Sequence, residues 1–405
     1  MKTFFQSIAA CLILAFVISA CASPTNASPT QLSSSDHVAT VVAATMQAFP
    51  SDTPVAATPE SPTELLPRSL YYVGWDSNTG LVQVFRIERD GKTVTQITNE
   101  ENQIGEFDVS PVDGSLAYVS YNQLIRQLIF VTADGSNRRV LADSGPQESF
   151  PWIRSPVFSP DGPTLAYSNK GLYLFDISTG VSNLAIEAPS NGWYLPMQFS
   201  PDGTKLLVAV WQTEAPTVSH AVYSLDTNSL VKYAEAQDYS DCCSFDGELM
   251  WSPDGSSFYG VAGVHDSSYR YGELWRVEAG NGAVTRMLQA SGGTLNVPKE
   301  PYLAPDRQLY FFFGTYQNDA GFLDAPVLSL VRSAPDGVTD RTVLRDENFV
   351  LMYEALWAPD ASFVIVVMAS RRDSYGGGVL ELYYTDAQKG MVWLAPSGYQ
   401  MKWGP

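Results

Sequence analysis

The residues in this chain best suited to chemistry are carboxylates set beside glycine. Asp161, Asp202 and Asp254 each follow Ser-Pro and precede Gly. Three acids gathered at one place would form a cation cage, or an acid–base pair for glycan cleavage. Their sequence context argues for turns instead. Pro presets the backbone angle at the first turn position, Asp bonds back to the backbone, and Gly takes a positive φ at no steric cost. Each acid then belongs to its own hairpin, far in sequence from the others.

Other chemistry is thinly represented. His37, His220 and His265 are scattered and the four cysteines show no spaced C-x-x-C pattern, so no zinc site is expected. There is no Gly-x-Ser-x-Gly nucleophile elbow. The stretch from Asp238 to Asp246 holds the adjacent pair Cys242-Cys243. Three readings stay open there: a vicinal disulfide stiffening a loop, two reduced thiols on an acidic surface, or oxygen ligands for calcium, although the spacing fits no EF-hand. No cofactor is implied.

The elements that position these groups are β-strands. Aromatics make up 12% of the 405 residues and charged residues 17%, with 30 Gly and 26 Pro to punctuate many turns. The formal charge of −19 repels phosphate backbones and anionic lipid, so nucleic acid is excluded as a partner and membrane contact requires an anchor.

The first residues supply such an anchor. Lys2 precedes an apolar run over residues 8–17, too short for a membrane span and ending in small residues, as a cleaved signal does. Ile18-Ser19-Ala20-Cys21 resembles the bacterial lipobox, which implies acylation of Cys21 after removal of residues 1–20. Residues 21–67 are dominated by Ser, Thr, Pro and Ala and read as a disordered tether, leaving 68–405 as the folded domain. Location in a bacterial cell envelope, on the extracytoplasmic side, follows.

From Ser69 onward the sequence repeats. An apolar residue, then Ser, Ala or Gly, then Pro recurs at Val109-Ser110-Pro111, Phe158-Ser159-Pro160, Phe199-Ser200-Pro201, Trp251-Ser252-Pro253, Leu303-Ala304-Pro305, Trp357-Ala358-Pro359 and Trp403-Gly404-Pro405. Successive prolines lie 49, 41, 52, 52, 54 and 46 residues apart, the size of a four-stranded propeller blade. Arg307 and Ala361 replace the turn glycine in two copies, where a different turn is expected. The reading is an all-β, seven-bladed β-propeller of four-stranded antiparallel blades, with six blades as the alternative. Residues 399–405 supply an inner strand that pairs with residues 70–73 and closes the ring.

The phrase Phe/Trp-Ser-Pro-Asp-Gly followed by an apolar strand such as Leu165-Ala166-Tyr167 resembles the propeller repeat of TolB-like and related WD-like extracytoplasmic proteins. The resemblance covers roughly residues 69–405. It implies the propeller fold, with a tether where TolB-like proteins usually carry an N-terminal α/β domain.

In such blades the first-to-second and third-to-fourth turns share one side, and all the other connections share the opposite side. Connections on the second side are long, for example residues 145–154, 187–195, 235–248, 263–272, 314–326 and 370–378. Long loops on a rigid scaffold commonly carry binding residues. Trp152, Arg154, Trp193, Tyr194, Tyr239, Tyr269, Arg270, Tyr271, Tyr316 and Arg371 are the candidates there, with rings and guanidinium groups suited to recognition. The expected role is recognition of a protein, peptide or glycan by a tethered monomer. A propeller hydrolase or lyase with carboxylates at the channel mouth, and a structural envelope component, are the alternatives.

Overall fold

The computed structural model describes residues 64–122, 125–145, 153–190, 192–212, 218–232, 249–263, 272–288, 294–317, 326–369 and 377–405. Every regular element among them is a strand, and every pairing is antiparallel. The first group comprises β1 (Leu70–Trp75), β2 (Val82–Ile87) and β3 (Val94–Gln96). Next come β4 (Gln103–Val109), β5 (Leu116–Tyr121), β6 (Arg126–Val131) and β7 (Arg139–Asp143). A third group holds β8 (Ile153–Phe158), β9 (Thr164–Asn169), β10 (Gly171–Asp176) and β11 (Val181–Ile186). It is followed by β12 (Gly192–Phe199), β13 (Lys205–Gln212), β14 (Val218–Ser224) and β15 (Ser229–Lys232). Then come β16 (Leu249–Trp251), β17 (Ser257–Gly263), β18 (Gly272–Glu278) and β19 (Val284–Leu288), and after them β20 (Thr294–Leu303), β21 (Leu309–Gln317), β22 (Leu328–Ser333) and β23 (Thr342–Phe349). The last are β24 (Met352–Trp357), β25 (Phe363–Met368), β26 (Gly378–Tyr384) and β27 (Val392–Trp403).

Strands β4 to β23 form five four-stranded sheets, each in simple sequential order. The remaining strands form one seven-stranded sheet, β24-β25-β26-β27-β1-β2-β3. Strand β27 joins its two halves. Val392, Trp393 and Ala395 pair with β26, while Tyr399, Lys402 and Trp403 pair with Val73, Tyr71 and Leu70 of β1. The expected pairing of residues 70–73 with 399–405 is thus present. Gly398 sits between the two halves, and a Cβ there would lie 2.4 Å from the Tyr72 ring. Only glycine admits that approach.

Hydrophobic clusters connect consecutive sheets. In β25, Phe363, Ile365 and Val367 point to one neighbour and Val364 and Val366 to the other, the period-2 pattern of a strand buried on both faces. Phe312, Phe349 and Trp357 pack between the β20–β23 sheet and β24–β25. Ile365 and Leu382 then pack with Leu70, Ile87 and Met401. Tyr71 and Val73 meet Ile104, Phe107 and Leu116 of the β4–β7 sheet. Comparable clusters link the next sheets, through Val119 with Leu165, Ala166 with Val208, Leu207 with Phe258, and Tyr259 with Phe311. The packing thereby returns on itself. Each fully buried Leu, Ile or Phe contributes about 1.5–3 kcal/mol, so the sheet-to-sheet seams hold the fold.

The fold begins slightly before the sequence reading placed it. Leu65 and Leu66 both donate backbone hydrogen bonds to the Arg89 carbonyl, at 2.8 and 2.9 Å, and Leu66 is buried. The expected tether over residues 21–67 therefore overlaps the fold at these two residues.

Candidate functional site

On the side of the short turns, the repeat acids Asp202 and Asp254 are consumed by local structure. The Ser200 hydroxyl donates to Asp202 at 2.6 Å, and the Gly203 amide donates to the Ser200 carbonyl at 2.9 Å. Ser252, Asp254 and Gly255 repeat the pattern. Hydrogen bonds from Ser200 and Ser252 hold the Asp202 and Asp254 carboxyls down at about 2, as befits acceptors in turns. Arg307 and Ala361 overturn the expectation of a different turn. Both adopt the left-handed conformation, with φ of 63° and 56°, and donate to Ala304 and Ala358 as a glycine would. Closure of the same turn outweighs the strain of a side chain at positive φ. The turns also touch in sequence order: a Cβ on Gly203 would lie 3.6 Å from Pro160, and one on Gly114 would lie 3.4 Å from Pro405.

The opposite side is built on irregular first strands. Bulges interrupt the β4–β5, β8–β9, β20–β21 and β24–β25 pairs and the β27–β1 pair. Ser155, Glu300 and Gln400 adopt positive φ there, at 52°, 50° and 52°. All three stand five residues before a turn proline, as do Glu106 and Glu354. Two of these glutamates satisfy the bulge of the following sheet. Glu106 accepts from the Ser155 amide at 3.2 Å, and Glu354 accepts from the Gln400 and Met401 amides at 2.6 Å each. A bulge leaves backbone amides outside the ladder, and a carboxylate from the neighbour is a strong acceptor for them.

Above these bulges, cations and rings converge. The Arg154 Nε and Nη2 both donate to Glu106 Oε1, at 3.0 and 2.8 Å. Arg126, at the start of β6, places its guanidinium 5.0 Å from the centre of the Tyr121 ring. Burial lowers its pKa, Glu106 opposes that shift and Arg154 adds to it, so the three charges share one neighbourhood. The Arg126 Nε is buried and has no acceptor among the described residues. Tyr399 of β27 stands edge-on to Tyr353 of β24, with ring centres 6.5 Å apart. Burial pushes the Tyr399 hydroxyl up to about 12, with smaller contributions from Tyr121 and Tyr353. Tyr353 is 38% exposed and Trp75, at the end of β1 on this same side, is 51% exposed.

Of the residues singled out from sequence, Arg154 takes part in this cluster. Trp193 and Tyr194 do not lie on an exposed loop, because β12 begins at Gly192 and buries both. Trp193 stacks on Trp211 at 5.3 Å, and Tyr194 packs with Ala166, Leu172 and Phe199. Alternating apolar residues continue the strand where polar turn residues were expected to end it. Tyr316 lies in β21 with its backbone paired to Leu295. Trp152, Tyr239, Tyr269, Arg270, Tyr271, Arg371, Cys21, Cys242 and Cys243 fall outside the described residues. Sequence reasoning passed over Tyr121, Arg126, Tyr353 and Tyr399, which come from four separate segments. The one available signal was glutamate recurring five residues before the turn prolines.

Two inner carboxylates deserve comparison with catalytic acids. Burial raises the Asp108 pKa, with Lys402 at 3.7 Å opposing the shift, and Asp108 Oδ2 accepts from the Phe158 amide at 2.7 Å. Burial also pushes Glu100 upward, but bonds from Arg138 and Tyr118 hold it below the usual range. Both acids have structural partners. Among the described residues no three His, Cys, Asp or Glu side chains form a metal cage.

Sheets of this order, packed face to face in a closed circuit, define a β-propeller. No protein-family model matches the chain, and no curated protein matches it. Solved structures do. An oligogalacturonate lyase in complex with manganese is similar, with a TM-score of 0.53 and 13% identity over 80% of this chain and 84% of that one. A prolyl endopeptidase is similar at TM-score 0.55 and 11% identity, over 85% of this chain and 50% of that one. TolB from Acinetobacter baumannii matches at TM-score 0.43 and 16% identity, over 82% and 81%. At these identities the likeness is one of fold.

Proposed function

We propose that this chain is an extracytoplasmic binding propeller of seven blades, lipid-anchored at Cys21 and held off the membrane by residues 22–63. It recognises a protein, peptide or glycan through the side carrying the long connections. The observation behind this reading is the convergence of Tyr121, Tyr353, Tyr399, Arg126 and Arg154 on that side. Rings and guanidinium groups supply contact area and directed bonds at modest entropy cost. Glu106 and Glu354 on the same side are engaged in capping bulges, which favours recognition over acid–base chemistry. The count of seven blades is supported by β27, whose first half completes the β24–β26 group and whose second half completes the β1–β3 group.

Co-purification tests the recognition. The full chain should retain a ligand from envelope extracts that a variant carrying Trp75→Ala, Tyr353→Ala and Tyr399→Ala does not. Equal retention would overturn the reading of this side. For the anchor, labelling with palmitate should disappear in Cys21→Ser.

A further inference from the structure

Where the β4–β7 and β8–β11 sheets meet, the described residues carry an electrostatic imbalance. Two guanidinium groups, Arg126 and Arg154, face a single carboxylate, Glu106. Both oxygens of Glu106 are already used, Oε1 by Arg154 and Oε2 by the Ser155 amide. Arg126 lies over the face of Tyr121, and its Nε finds no acceptor among the described residues. A half-buried cation that shares its one neighbouring carboxylate with a second cation carries a desolvation cost that an incoming anion reduces. The chain bears a net charge of −19, so this local excess of positive charge runs against its overall field.

We infer that Arg126 and Arg154 form a subsite for the carboxylate of an acidic saccharide, with Tyr121, Tyr353 and Tyr399 lining the sugar rings. This deepens the recognition reading given above and rests on it. Guanidinium groups match carboxylates in a planar, two-bond geometry that ammonium groups lack. Tyrosine rings present a flat apolar face for the C–H surface of a sugar and a hydroxyl at the edge for its oxygens. A peptide carboxy-terminus is ordinarily captured by backbone amides, and here the Ser155, Gln400 and Met401 amides are already taken by Glu106 and Glu354.

Titration calorimetry on the full chain tests the assignment with three probes. These are a disaccharide ending in glucuronic acid, the same disaccharide ending in glucose, and a tripeptide with a free carboxy-terminus. The acidic disaccharide should bind about tenfold tighter than the neutral one, and weaken as salt is raised. Arg126→Gln should abolish that preference at an unchanged melting midpoint, and Arg126→Lys should restore part of it. Equal affinity for the two disaccharides, or an unchanged preference in Arg126→Gln, overturns the subsite. Tighter binding of the tripeptide that depends on Arg126 overturns the saccharide and leaves the carboxylate site. Should Arg126→Gln lower the melting midpoint, Tyr353→Ala carries the test, because that ring is exposed; an unchanged affinity for the acidic disaccharide then overturns the proposal. Failure of the recognition reading is distinguishable: the full chain would retain nothing from extracts, whereas failure of the subsite leaves retention intact and independent of Arg126.

Discussion

Glu354 of β24 accepts the backbone amide of Met401 in β27 at 2.6 Å, while its other oxygen accepts from Gln400. One side chain thus fixes the bulge at the point where the two ends of the fold are joined. Replacing it by Ala leaves two amides unsatisfied beside the closing strand. Glu354→Ala should cost about 2–6 kcal/mol, at about 1–3 kcal/mol for each of the two stranded amides, read from the urea midpoint. Glu354→Gln keeps one acceptor oxygen and should cost about half as much.

Arg307 occupies a glycine position with φ of 63° and an exposed side chain. Arg307→Gly should stabilise the protein by about 1 kcal/mol, since the left-handed conformation costs a side-chain-bearing residue about 1–2 kcal/mol, a gain that the greater unfolded-state entropy of glycine partly offsets. Gly203→Ala, at φ of 72°, should lower stability by a similar amount. Paired thermal melts decide both signs.

Burial lowers the pKa of His220 to about 4. The folded state holds the neutral ring down to that value, whereas the unfolded chain takes up a proton near pH 6.5. Protons therefore favour unfolding between these limits, and the loss saturates below the lower one at about 3 kcal/mol. Urea midpoints measured at neutral pH and near pH 4 should fall less in His220→Gln than in the wild type. Parallel curves would show that His220 does not carry the acid response.

Asp108 and Glu100 are buried acids with opposite shifts, and their amide variants should differ accordingly. Asp108→Asn relieves a charge that burial disfavours and retains an acceptor for the Phe158 amide, so it should change stability by less than about 1 kcal/mol at neutral pH. Glu100→Gln breaks a two-bond ion pair with Arg138, at 2.7 and 3.1 Å, and should cost about 2 kcal/mol. Similar losses in the two variants would overturn the contrast.

The turn repeat was legible because its chemistry is local: Ser, Pro, Asp and Gly within five residues specify one hairpin, and the hydroxyl-to-carboxylate bond of Ser200 and Asp202 lies within it. The pairing of β27 with β1 was legible from an unpaired apolar strand at each end of the repeat array. Trp193 and Tyr194 were misplaced because a buried strand start and an aromatic loop have the same composition. The cation and ring cluster stayed hidden for a different reason. Tyr121 and Tyr399 are brought together only by packing between sheets, and no short-range pattern encodes that meeting.

The double pairing of β27 also bears on how the molecule is made. Until residues 399–403 have left the ribosome, β1 presents a bare edge, and its partner is more than 300 residues away. Loop closure over that distance is slow, and an open edge invites pairing with other chains. A nascent chain is therefore kept from sealing its ring until residues 399–403 have been made, so the last strand synthesised sets the moment at which the first one is protected.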